Sequence, residues 1–277
     1  MSLNRTLLPL CFILLLSQPT CFHEIASSSV ALPIPATLTG NDNIKYGYPG
    51  GQGRILVKKY YVILHEDSLR IPDWVTYHLT KQDLEGTANR NDKFRPDPDI
   101  PIGMRAELAD YRNSGYDRGH MAPAGDFKRS EEAMSETFFL SNMAPQRPRL
   151  NRGIWEKLEE QVRSLAESVG SIWIVTGTLF LDEDGHAMKP STFIGSDSVA
   201  VPTHFYKAIL CEHPNGTHEM FAFIMENRET ALPGKPKDYV VSVRHIEELT
   251  GLDFFNLLRK SEQDSLEAVV NTNWPSQ

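Results

Sequence analysis

Three short stretches of the chain hold the residue types that phosphodiester hydrolysis requires: Asp117-Arg118-Gly119-His120, Ser141-Asn142, and Asn151 through Glu159. Such a reaction must take a proton from water and must stabilise charge on the phosphoryl and leaving oxygens. Neutral histidine accepts a proton near pH 7, which makes His120 the candidate general base. Arg118 offers forked N–H donors suited to phosphate. Gly119, between them, permits an unusual backbone shape or a close approach. Asn151 offers a neutral oxygen to a hard cation such as Mg²⁺ or Mn²⁺; Mg²⁺ keeps several waters and needs few protein ligands. Asn151, Trp155 and Glu159 recur every four residues, along one helical face. Glu159 would hold metal-bound waters, and Trp155 would pack that face onto a sheet.

Elements must position these groups. Asn151 to Val169 reads as the clearest helix, with apolar residues at Ile154, Trp155, Leu158, Val162, Leu165 and Ala166, closed by Gly170. Shorter helices are expected at 105–112, 130–136, 243–249 and 254–270, the second capped by Ser130. Strands are expected at 59–65, 74–79, 137–140, 172–175, 199–210 (with Pro202 as a break point) and 220–224. Residues 81–103, with Pro96, Pro98 and Pro101, read as a long loop. The elements mix without regular βαβ alternation, which predicts an α+β fold on a mainly antiparallel sheet.

Asp117-Arg-Gly-His-Met-Ala-Pro-Ala124, Leu140-Ser-Asn-Met-Ala-Pro-Gln146 and Asn151-Arg-Gly-Ile-Trp-Glu-Lys-Leu-Glu159 together resemble the signature of the DNA/RNA non-specific endonucleases. Flanking similarity runs from Tyr46-Gly-Tyr-Pro49 to Leu249-Thr-Gly-Leu-Asp-Phe-Phe255, so it covers roughly residues 44–256. The resemblance implies a ββα-metal (His-Me) finger, in which two strands and a helix clasp the cation. It implies His120 as general base, Asn151 as metal ligand, and Glu159 as the group that binds metal waters. Arg118 resembles a phosphate or transition-state contact, Asn142 an active-site Asn on the strand before the helix, and Asp117 a residue that shapes the finger. Arg90 resembles the upstream phosphate-binding arginine, with Arg95 as the alternative for that role. It also implies DNA and RNA as substrates. Relatives often dimerise, but no segment here commits to a homodimer. The exonuclease-like mitochondrial relatives carry an additional C-terminal wing, whereas this chain stops at Gln277, which favours endonucleolytic cleavage.

Taken singly, these residues have plainer readings. Asn142 and Asn151 would ordinarily serve turns or caps, Glu159 would face solvent, and Arg147, Arg149 and Arg152 would form a solvated face. The remaining histidines, His204 included, read as surface or structural groups.

The 277 residues, 40% hydrophobic and 23% charged, suit one soluble catalytic domain at 44–277 behind a leader. Residues 1–26 read as a signal peptide: Arg5 precedes a nearly unbroken apolar run from Leu7 to Leu16. That run is shorter than the ~20 residues a membrane anchor needs, so no stable insertion is expected after cleavage near Ala26 or Ala31. A secreted or periplasmic location is expected over a mitochondrial one, because transit peptides are Arg-rich and amphipathic. Residues 27–43, rich in Ser, Pro and Thr, read as a flexible arm. Cys211, the one cysteine beyond the leader, reads as a buried structural thiol. The net charge of −8 argues against a nucleic-acid partner on its sum alone, but Gln146 to Arg152 carries three arginines and no acid. Two other functions fit the residues less well. A binding module would have no need of His120, Arg118, Asn151 and Glu159 together. A small-molecule phosphoesterase would prefer a short aryl phosphodiester to plasmid.

Overall fold

The structure, a computed structural model, describes residues 35–275. The expected signal peptide and the first part of the arm lie outside the described residues. Along the chain come β1 (Arg54–Val57), β2 (Val62–Glu66), β3 (Ile71–Thr80), α1 (Lys81–Leu84) and α2 (Leu108–Tyr111). They are followed by β4 (Asp117–His120), α3 (Glu131–Glu136), β5 (Met143–Gln146), α4 (Trp155–Val169) and β6 (Ser171–Leu179). The chain continues through β7 (Phe193–Ile194), β8 (Val199–Ala200), β9 (His204–Glu212), β10 (His218–Glu226), β11 (Val240–Val241), α5 (Val243–Thr250) and α6 (Lys260–Glu267).

Seven strands form one sheet in the order β1-β2-β3-β6-β9-β10-β11, and every neighbouring pair is antiparallel. The fold is α+β, as the sequence predicts. Period-two alternation makes this sheet a middle layer. Ile172, Ile174, Phe205 and Ile209 point to one core, with Trp155, Leu158 and Val162 of α4. Trp173, Val175, Tyr206, Ala208 and Leu210 point to the other core, with Ile246 of α5 and Phe254. Both faces are therefore covered, and α4 is held by burial along its whole apolar stripe. Cys211 is fully buried on β9, and burial pushes its thiol upward. Among the described residues no helix is long and apolar enough to cross a membrane.

Several elements differ from expectation. Part of the expected arm is packed: Ala36–Leu38 forms a 3₁₀ turn with Leu38 buried, and Asp42 opens a second one that runs to Ile44. Residues 137–140 are not a strand. Thr137 Oγ1 donates back to Met134 C=O (2.7 Å), and turn bonds carry the chain into a 3₁₀ turn at Leu140–Asn142. The last helix spans Lys260–Glu267 rather than 254–270. Phe255 adopts the left-handed region (φ 53°), and the Asn256 amide donates to Tyr48 C=O, so the chain turns there instead. Thr80 and Asp83 cap a short helix at the start of the expected 81–103 loop. The break at Pro202 does separate β8 from β9.

Candidate active site

β4 and β5 form a separate two-stranded antiparallel hairpin, pairing Asp117 with Gln146, Gly119 with Ala144 and His120 with Met143. Gly119 serves close approach: a Cβ there would lie 2.3 Å from Gln146 Oε1 and 2.6 Å from its Cβ. After β5 the chain makes a wide turn over Leu150–Ile154 before α4 begins at Trp155. Gly153 breaks the helical dihedrals (φ −125°, ψ −113°), so Asn151 sits ahead of the regular helix and not within its first turn. Trp155 is fully buried against Phe205, its ring centroid 5.8 Å away, and so anchors α4 to β9. β4, the Leu150–Ile154 turn and α4 border one cavity of about 610 Å³, while β5 backs β4 without lining it.

His120, Arg118, Asn151, Glu159 and Arg90 all line that cavity. The His120 ring packs against Phe94 and Phe138, with centroids 5.6 and 5.3 Å away. Its Nε2 is buried without a hydrogen-bond partner among the described residues. Burial, reinforced by the positive charge of Arg90, pushes the imidazole down to about 3, so it stays neutral across the physiological range. The Arg118 guanidinium lies 4.6 Å from the Phe94 ring centroid, and its Nε is buried with no hydrogen-bond partner among the described residues.

Asp117 organises the opposite wall. Its Oδ2 accepts from Asn151 Nδ2 (2.9 Å) and from Arg152 Nε (2.8 Å), and its Oδ1 accepts from Arg152 Nη2 (2.5 Å). A carboxylate only accepts, so it fixes which arm of the Asn151 carboxamide faces it and turns Oδ1 away. Glu159 is half-buried in the same wall. Burial raises its carboxyl, opposed by Lys207 and reinforced by Asp126.

The two remaining expectations separate. Asn142 does not line the cavity and belongs to the 3₁₀ turn before β5, not to a strand. It is fully buried and spent on backbone: Oδ1 accepts from Ala122 N–H, and Nδ2 donates to Ala122 and Thr137 carbonyls at 2.9 and 3.0 Å. It therefore ties down the loop that leaves His120. Arg95 is engaged elsewhere, donating to Ser135 and stacked over Phe139, whereas Arg90 reaches the cavity while paired to Asp92 (2.7 Å).

Sequence reasoning did not single out the charged network beneath Glu159. Arg163 lines the cavity and donates to Asp126 (3.1 Å), which also accepts from Tyr77 OH (2.7 Å). Lys207 is fully buried, donates to Thr176 Oγ1 (2.5 Å), and lies 5.3 Å from the Trp155 ring centroid. Arg163 stands one further step of four beyond Glu159, so the same spacing could have found it. Lys207 stands in a largely apolar strand, where no spacing along the chain ties it to Glu159. Four arginines against three acids line the cavity, so it is locally basic despite the chain's negative sum.

A strand ending in a buried histidine, a second strand paired to it, a turn that presents an asparagine and a helix that presents a glutamate make up the ββα finger the motifs imply. Residues 39–261 match the DNA/RNA non-specific endonuclease family, and the chain belongs to it. The chain is 40% identical to mitochondrial nuclease EXOG of Danio rerio over 230 residues, covering 80% of this chain and 66% of that protein. It is 37% identical to human mitochondrial endonuclease G, covering 82% of this chain and 77% of that one. It is 38% identical to nuclease C1 of Cunninghamella echinulata, covering 78% and 88%. The chain thus spans at most about two thirds of the EXOG relatives, 59% for the human protein. A solved EndoG/EndoGI complex aligns at TM-score 0.75 and 33% identity, covering 83% of this chain and 96% of that one.

Proposed function

We propose that the chain is a divalent-cation-dependent nuclease that cuts phosphodiester bonds within DNA and RNA. His120 is its general base and Asn151 its protein ligand for one Mg²⁺ or Mn²⁺ ion. The observation that carries this reading is that a neutral imidazole and an oriented carboxamide border the same basic cavity. The residues fit the ion. Asn151 Oδ1 is turned away from Asp117, and Glu159 in the same wall would hold the ion's waters. Bound there, the cation withdraws charge from the phosphoryl and leaving oxygens.

This chain's own groups do the rest. Of the two His120 ring nitrogens Nε2 is the sealed one, so Nδ1 takes the proton from water in the cavity. Arg118, and Arg90 at the rim, pair with the phosphate in forked geometry. Asn142 is a positioning residue that holds the chain after His120. Contacts of this kind go to phosphate and not to base edges, so sequence preference is weak.

Plasmid DNA and RNA should both be degraded in Mg²⁺ and spared in excess chelator, with activity returning on adding Mg²⁺ or Mn²⁺. Binding that survives chelation without cleavage at any metal concentration would make the chain a binding module. Faster turnover of a short aryl phosphodiester than of plasmid would make it a small-molecule phosphoesterase.

The leader reading is also a proposal. Arg5 followed by the Leu7–Leu16 run supports export, although the EXOG and endonuclease G relatives are mitochondrial by name. Amino-terminal sequencing of protein recovered outside the producing cell should begin just after Ala26 or Ala31. Retention inside the cell, or recovery from mitochondria, would reverse it.

A further inference from the structure

Far from the β4–β5 hairpin in sequence, α5, the turn after it and α6 bring three carboxylates together. Glu247, Asp253 and Glu267 each place one oxygen within 4.8 Å of the others. Each also has an oxygen engaged by a neighbour. Glu247 Oε1 accepts from Phe254 N–H (2.8 Å), and Asp253 Oδ1 accepts from Gln263 Nε2 (2.7 Å). Glu267 Oε2 lies 3.5 Å from Arg244 Nη2.

The second observation is Glu267 itself. It is 2% exposed, and its Oε1 is fully buried without a hydrogen-bond partner among the described residues. Buried polar atoms are nearly always partnered, and a carboxylate oxygen has the most to lose by standing alone. Three negative charges here face one nearby guanidinium, which Asp264 shares at 3.6 Å; Lys260 is drawn to Asp264 at 2.6 Å.

We propose that Glu247, Asp253 and Glu267 form a binding site for a divalent cation of the Ca²⁺ type, which ties the end of α5 and its following turn to α6. Carboxylate oxygens, with water completing the shell through the half-buried Glu247 and Asp253, suit Ca²⁺, which tolerates six to eight oxygens in flexible geometry. Mg²⁺ demands a tighter octahedron and gives up its waters reluctantly.

The test uses the full chain, stripped with chelator, in the Asn151→Ala background so that the nuclease site contributes no Asn151-held ion. Titration calorimetry should find one Ca²⁺, and a hundredfold excess over Kd should raise Tm by roughly 5–10 °C. Adding Asp253→Asn should abolish both the heat and the shift. Asp253→Asn alone should leave Mg²⁺-dependent cleavage at the wild-type rate. If Asp253→Asn fails to fold, Glu247→Gln serves instead, since its amide oxygen still accepts from Phe254 N–H. No Ca²⁺-dependent shift, a shift that Mg²⁺ reproduces, or a shift that survives these substitutions would overturn the site. Failure of the nuclease reading would appear in the plasmid assay and would not alter these results.

Discussion

His120→Ala should lower kcat for plasmid and RNA cleavage by about 10²–10⁴-fold, the range over which a positioned base contributes. The loss should fall on kcat, because the ring acts on water rather than holding substrate or metal. The Mg²⁺ concentration giving half-maximal rate should barely move. Titration adds an independent readout. Burial and the Arg90 charge hold the folded imidazole far below 6.5, so the acid limb of kcat/KM in the free enzyme should lie below the ordinary histidine range. Arg90→Ala, which removes one of the two causes, should move that limb upward while weakening substrate binding. Stability follows the same sign. Between pH 6.5 and about 3 the unfolded chain binds a proton that the folded chain refuses, so acidification through that window destabilises the protein. His120→Ala should flatten that part of the stability profile measured by denaturant unfolding. Wild-type turnover in His120→Ala would remove His120 as the base, whatever the pH profiles showed.

The long helix, the central strands and the antiparallel class were legible in the sequence because burial on one or both faces imposes a period. Val162 and Leu165 repeat on the helix, and β6 and β9 are nearly continuous apolar runs. The hairpin that carries the site was not legible from periodicity. Asp117-Arg-Gly-His and Met143-Ala-Pro-Gln are four residues each, polar or proline-containing, and obey no β pattern. Only the ordered motifs pointed to it. The i+4 spacing of Asn151, Trp155 and Glu159 suggested one uniform helical face. The backbone instead leaves the helix at Gly153, and this frees Asn151 to turn toward Asp117 while Trp155 turns into the core. Asn142 shows the converse limit. Its motif marks it strongly, yet the chemistry it performs is hydrogen bonding to backbone, which sequence spacing cannot distinguish from contact with substrate. The buried charges at Asp126 and Lys207 were invisible for a simpler reason. They are brought under Glu159 by strand order and loop path, and spacing along the chain does not link them to it.

Asn151→Ala should lower kcat/KM by about 10²–10³-fold, comparable to removing one fixed group that stabilises transition-state charge. Raising Mg²⁺ should not restore the wild-type rate, because Asn151 would no longer hold the ion whose charge would stabilise the reacting oxygens. The fold should survive, since the residue lies ahead of the regular helix and α4 is anchored by Trp155, Leu158 and Val162. Asp117→Ala separates ligation from orientation. It removes the carboxylate that holds Asn151 Nδ2 at 2.9 Å and binds Arg152 through both oxygens, while leaving Asn151 itself in place. Loss of such a supporting partner costs about 10–100-fold in metal affinity or activity, so Asp117→Ala should be milder and should respond to added Mg²⁺. In the double variant the Asp117 effect should largely vanish, because a carboxylate that works by aiming a carboxamide has nothing left to aim. Additive losses would mean that Asp117 acts on its own account, for example through Arg152. A fully active Asn151→Ala across the Mg²⁺ range would mean that the cation is held by other groups in the wall, among them Glu156 and Glu159 of α4.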